Sequence, residues 1–332
     1  MIDFRYHLVS LVAVFLALAV GIVLGAGPLN DTLGNALEKQ TKALSTQKRD
    51  LQSQVSSLQN QVGYGEDVAS DLVAPMVYGR LTGQRVVVIQ LPGADGKLVN
   101  SLTRTLVQAG ATVSGAVRVE SSYVDPSKSV LVGDLASRLA PSYLQMPITG
   151  PYDAAALLLA ESLVTRVSDL SGRPDTESVT VFSGYTQAGL LKVAGSVDRR
   201  ADLALVVAPG APASPSDTTD AANQALLPLV SDLADAGHGV LVAGPVGSAG
   251  DGGFVRAVRG DHDARARVST EDMASQPSGQ IGTVLGLVEQ AQGGVGHYGN
   301  GPGTTGALPQ LTPLGTPVAS TTSSSSPSPS SR

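Results

Sequence analysis

Hydrophobic and polar positions change rhythm three times along this chain. From Leu8 to Ala26 the residues read LVSLVAVFLALAVGIVLGA, without a charge, and twelve of the 19 are Leu, Ile, Val or Phe. A stretch apolar on every side predicts a transmembrane helix rather than a core helix. At ~1.5 Å per residue it reaches about 28 Å, close to the ~30 Å of bilayer hydrocarbon. Its large side chains favour insertion by about 4–7 kcal/mol in total. Leu8, Leu11, Phe15, Leu18, Ile22 and Leu24 are the expected lipid-facing anchors. The stretch outruns the ~7–15 residues of a signal-peptide apolar region, so it is expected to remain as an anchor rather than be cut near Ala26. Arg5 precedes it, and no Lys or Arg follows before Lys39. That asymmetry places residues 1–7 as a cytoplasmic tail and everything beyond Pro28 outside the cytoplasm.

The second rhythm has a period of seven. Leu37, Leu44, Leu51 and Leu58 recur at that interval, and setting them at heptad position d puts Gly34, Thr41, Lys48, Val55 and Val62 at a. This predicts a coiled-coil stalk over residues 31–63, with Leu37, Leu44, Leu51, Val55 and Leu58 as its seam. A parallel homodimer satisfies the pattern, and so does a single helix folding back on its own domain. Lys48 at an a position discourages large assemblies. Gly63 and Gly65 are expected to end the stalk, and Pro75 marks a further break.

The third rhythm, over residues 75–301, alternates short apolar runs with amphipathic ones. Arg85–Gln90 is a β-branched run followed by the turn LPGAD, then a helix over residues 97–109 and a strand in ATVSGAVRV. The order repeats with a strand over 201–208, a helix over 221–236, a strand over 238–243 and a helix over 279–292. Uniformly apolar strands separated by helices predict an α/β domain: a mostly parallel sheet with helices on both faces. They do not match the alternating segments of a transmembrane barrel. Residues 302–332 lose all periodicity and finish in a Ser/Thr/Pro-rich run, the composition of a disordered tail.

Composition narrows the function. Aromatics are only 4% and Trp is absent, so the core must be built from Ala, Val and Leu. A net charge of −6 without a Lys/Arg cluster argues against nucleic acid as a partner. With no cysteine, there is neither a disulfide nor a thiolate nucleophile or metal ligand. No GxSxG, HExxH or P-loop motif occurs, and no catalytic or cofactor-binding residue is assigned; the reading is of a protein that is not an enzyme. The Gly244–Gly250 loop carries Pro245, which removes an amide that a phosphate would need, so it reads as a plain strand-to-helix connection. Asp95 reads as a helix N-cap, and Asp261-His262-Asp263 as a solvated loop beside Arg259, Arg265 and Arg267. The turn Gly296–Gly301 surrounds His297 with glycines; it reads as a tight terminal turn with Tyr298 packed on the domain.

The opening MIDFRYHLVSLVAVFLALAVGIVLGAGPL, the strand-turn RVVVIQLPGAD and the late PSGQIGTVLGLVEQAQGGVGHYGNG resemble the MctB-type copper transporter family of actinobacterial envelopes. So does the order of anchor, stalk and α/β domain, and the resemblance covers residues 1–303. It implies a role in copper homeostasis or efflux in the cell envelope, in the outer membrane of organisms that possess one, with copper as the implied metal. Copper prefers thiolate, thioether and imidazole donors. The candidates here are His297, His262 and Met273; these lie in unrelated segments, as do His238, Met76 and Met146. Expected partners are the lipid bilayer and a second copy of the chain through the stalk. An envelope scaffold that dimerises through its stalk and binds a protein or wall polymer is the alternative; a tethered hydrolase with a site at the strand ends is a third reading.

Overall fold

The apolar N-terminal stretch is helical from Phe4 to Gly25 (α1) in the computed structural model, which describes residues 4–25, 29–146, 150–195 and 197–310. Among the described residues α1 alone is long and apolar enough to cross a membrane. The expected anchors Leu8, Leu11, Phe15, Leu18, Ile22 and Leu24 are all exposed along it. Ala26, Gly27 and Pro28 lie outside the described residues, as do residues 1–3 and 311–332, which hold most of the expected tail.

The next helix, α2, runs from Leu29 to Val77, so Gly63 and Gly65 do not stop it. Each glycine weakens a helix by only about 1 kcal/mol relative to alanine, and packing beyond them more than offsets that. The chain divides into two units at this point, Met1–Gly65 and Glu66–Arg332. Within the second unit, Val73 and Met76 of α2 pack on the core and Val77 is fully buried. The Glu66 carboxylate accepts from the Ser278 amide at 3.2 Å and the Ser278 hydroxyl at 2.7 Å. It thus caps a helix whose own N-cap, Gln276, supplies no side-chain bond. Pro75 is tolerated because it falls in the final turn, where one lost backbone bond is followed at once by the helix end.

The remaining elements build one sheet and its covering helices. In chain order they are β1 (Arg85–Gln90), α3 (Gly96–Gln108), β2 (Thr112–Val119), α4 (Ser129–Leu139), α5 (Pro151–Leu163), α6 (Thr176–Gln187) and β3 (Leu191–Ala194). There follow β4 (Leu203–Val207), α7 (Asp217–Ala236), β5 (Gly239–Ala243), α8 (Phe254–Gly260), α9 (His262–Arg267), β6 (Ser269–Glu271), α10 (Pro277–Ala291) and β7 (His297–Tyr298). The strand order is β3-β2-β1-β4-β5-β6-β7. Every pairing is parallel except that of the edge strand β3 with β2.

Alternate side chains of β1, β2, β4 and β5 enter different cores, which is why these strands read as largely apolar. Val87, Ile89, Val117, Ala204, Val206, Val240 and Val242 face α4 to α9. Val86, Val88, Leu203, Leu205, Leu241 and Ala243 face α3, α10 and the end of α2. Among the described residues the chain beyond β7 has no helix or strand, yet it is tied to the domain as far as Gly306. Thr305 donates its amide to the His297 carbonyl at 2.7 Å, and Gly306 bridges Tyr298.

Candidate functional site

Strand order fixes where a ligand would sit. From β1 the chain moves outward to β2 on one side, whereas β4 to β7 extend the sheet on the other. The carboxyl ends of β1 and β4 therefore flank a topological switch point, the usual ligand crevice of open α/β sheets. A cavity of about 330 Å³ lies there. Leu91 and Pro92 from the end of β1, Pro209 and Pro212 from the end of β4, Val124, Leu226 and Phe254 form its apolar walls. Ser216, Thr218, Thr219 and Asn223 at the start of α7 provide the polar fringe, and the Asn223 amide donates to the Gly252 carbonyl at 3.0 Å. No titratable side chain lines it. Such a lining can bind and orient an uncharged or weakly polar group but supplies no proton-transfer residue.

A second recess, about 380 Å³, opens beside the first between the ends of β1 and β2, and shares Leu91 and Pro92 with it. Its character is polar: Arg118 donates from Nε to Gln90 Oε1 at 2.9 Å, and Gln90 Nε2 donates to the Ala94 carbonyl at 2.7 Å. Glu120 lies on its wall. The intervening turn LPGAD needs Gly93 at φ +80°. Asp95 is the N-cap of α3, accepting from the Lys97 amide at 2.8 Å. A larger hollow of about 410 Å³ between α6 and the chain after β3 lies away from these strand ends.

The candidate copper donors do not converge. His262 is exposed in the first turn of α9, and Asp261 caps that helix by accepting from the amides of Asp263 and Ala264. The Asp-His-Asp triplet is thus a helix start rather than a loop. Met273 is half-buried just beyond β6, with its amide donating to Glu271 Oε1. His297 is buried on β7 with both ring nitrogens engaged. Nε2 faces the Arg265 carbonyl at 3.2 Å, and Nδ1 faces Thr270 Oγ1 at 3.0 Å. A carbonyl only accepts, so the proton is assigned to Nε2, and Nδ1 accepts from the threonine. Burial, reinforced by the nearby Arg259 charge, holds the imidazole pKa below its ordinary value. No group of three or more His, Cys, Asp or Glu side chains able to hold a metal occurs among the described residues.

The dense polar chemistry lies at residues the sequence did not single out. Arg259 of α8 is buried and donates to Thr270 Oγ1 (2.8 Å), Asp272 Oδ2 (2.6 Å), the Tyr298 carbonyl (2.7 Å) and the Pro302 carbonyl (3.1 Å). The Asp272 carboxylate also accepts from the amides of Asn300 and Gly301 at 2.9 and 3.0 Å. The glycine-rich turn therefore wraps the protein's own carboxylate, with Gly299 at φ +116° lying against it. His297 and Tyr298 form the edge strand β7 rather than a turn. Tyr298 packs on the domain as expected and donates to Glu289 at 2.5 Å. Glu271 is fully buried with Oε2 unpartnered, and burial pushes its pKa up to about 8. The run Thr-Glu-Asp at the end of a strand was the available signal, but apolar patterning passes over it.

The sequence profile of the family described as "Copper transport outer membrane protein, MctB" matches residues 1–309. The Copper transporter MctB of Mycobacterium leprae (strain TN) is 35% identical over 317 residues, covering 92% of this chain and 98% of the relative. Its counterpart in Mycobacterium tuberculosis (strain ATCC 25618 / H37Rv) is 31% identical over 314 residues, covering 91% and 98%.

Proposed function

The chain belongs to the MctB family, and from that premise we propose that it is a membrane-anchored copper-homeostasis protein with copper as its cargo. One observation carries this: the likeness spans the anchor, the long helix and the α/β domain together, as far as residue 309. In this reading α1 crosses the membrane once, the N-terminal tail is cytoplasmic, and the α/β domain works outside the cytoplasm, in the cell envelope. The protein acts by binding and passage rather than by catalysis. Among the described residues no set of imidazoles or carboxylates converges on one point, the chain has no cysteine, and His297 is committed to its own hydrogen bonds. Copper contact then falls to single, scattered donors such as the half-buried Met273 or to a partner.

Deleting the gene should raise copper sensitivity and cellular copper content, and the full chain should restore both. A deletion strain with unchanged growth and copper content under copper stress would remove the homeostasis reading. Topology is tested separately. Protease added outside intact spheroplasts should digest the α/β domain and spare a short N-terminal fragment; a protected domain would reverse the orientation. A second reading, an envelope scaffold that binds a protein or wall polymer, draws on the exposed apolar residues of α2. It predicts an envelope defect without a copper phenotype.

A further inference from the structure

We propose that the N-terminal part of α2 is one strand of a parallel, in-register, two-stranded coiled coil formed with a second copy of this chain. Leu37, Leu44, Leu51, Val55, Leu58 and Val62 are 51–66% exposed, a row of aliphatic side chains in contact with water. A scattered exposed leucine needs no explanation, but an aliphatic row along one helix face does. Its seven-residue period is the signature of a helix that supercoils with another helix, since a straight helix repeats every ~3.6 residues.

Residues beside the row identify the occupant. The flanking g positions are Gln40, Gln47, Gln54 and Gln61, and the e positions after Glu38 are Ser45, Gln52 and Gln59. Charges at e and g choose partners by sign; here the edges are almost neutral, so nothing encodes a different, oppositely charged helix. Asp31 shares the e position with Glu38, whereas Lys39, Lys42, Arg49 and Asp50 fall at b, c and f, on the far side. What the seam does encode is its own register. Thr41 and Lys48 are the polar a layers of an otherwise aliphatic stretch, and they align only with themselves in a parallel identical partner. The Thr41 hydroxyl is already satisfied by the Leu37 carbonyl at 2.8 Å. Lys48 can carry its ammonium out past the edge of a two-stranded seam, whereas three or four strands would enclose it. The number of strands is therefore two.

The chain has no cysteine, so a single introduced thiol reports on one position. Leu44→Cys and Leu58→Cys, each made in the full chain in detergent micelles, should form disulfide-linked homodimers on mild oxidation. Ser53→Cys, at the outward f position, should link at least tenfold less. Light scattering of the unmodified protein should give the mass of two chains, unchanged between low and high salt. A monomer, or an assembly of three or more chains, would overturn the proposal. Linking at Ser53 as readily as at the seam would also overturn it. Linking of Leu44→Cys only to Leu58→Cys would mean an antiparallel pair and would defeat it equally. None of these outcomes depends on copper or on membrane orientation.

Discussion

Replacing Arg259 by alanine should destabilise the α/β domain by about 3–5 kcal/mol, the cost of stranding one member of a buried ion pair. Arg259 and Asp272 have side chains only 2% and 1% exposed. Without the guanidinium, the Asp272 charge retains two backbone amides and no countercharge. The carbonyls of Tyr298 and Pro302 and the Thr270 hydroxyl lose a donor in the same step. For a domain of this size the loss corresponds to a fall of about 10 °C in Tm. Arg259→Lys should recover only part of it, because an ammonium cannot reach four acceptors spread around a planar fork. Thermal unfolding of the full chain measures the change, and a fall of less than about 2 °C in Tm, about 0.5–1 kcal/mol at most, would show that the network carries little of the fold.

Raising the pH should weaken the domain through Glu271. This carboxyl is neutral when folded, with its pKa raised from 4.5 to about 8 chiefly by burial; the neighbouring Asp272 pushes the same way, whereas the Met273 amide and Arg259 oppose it. The unfolded chain gives up the proton from about pH 4.5 upward. Below that pH both states hold the proton and the full stability is present. Between pH 4.5 and about pH 8 the folded state holds a proton the unfolded state has released, so stability falls with rising pH and levels off above about pH 8. At ~1.4 kcal/mol per pH unit the loss amounts to several kcal/mol. Asp232, raised to about 7 by burial and its neighbour Asp235, adds a slope of the same sign. The informative quantity is therefore the difference between Glu271→Gln and the parent. That variant should flatten the decline, and an identical pH profile for the two would mean that Glu271 is ionised in the folded domain.

The parts of this structure that were legible in the sequence share one property: their burial is periodic or total over a long run. α1, β1, α3, β2, β4, α7, β5 and α10 are all marked by apolar runs or amphipathic repeats. The helices between β2 and β3 were not. Most residues of α5, PYDAAALLLAESL, are buried, so no polar face reveals its period. β6 is Ser-Thr-Glu, buried yet polar, and β7 is only two residues long. The overrun of α2 past Gly63 depends on Glu66 meeting Ser278, a contact across 212 positions that no local pattern contains. The switch-point crevice is legible only in part: the turn LPGAD on one wall follows a readable strand. Its other wall was hidden, since Pro209, Asn223 and Phe254 become neighbours only once the strand order is fixed. The Arg259 network eluded patterning for a similar reason: arginine and aspartate usually signal surface, and only the completed core shows these two to be inside.

A sheet's outermost strands are open rails on which a neighbouring molecule can run. Here neither rail is long. β7 offers two residues, and the returning segment at Thr305 and Gly306 lies along it and takes up its bonding groups. The opposite rim, β3, is four residues long and turns the charged Lys192 outward. Proteins crowded together on a surface meet edge to edge far more often than in free solution, and unguarded strand edges would join them indiscriminately. With one rim covered and the other short and charged, indiscriminate edge-to-edge joining of sheets is disfavoured.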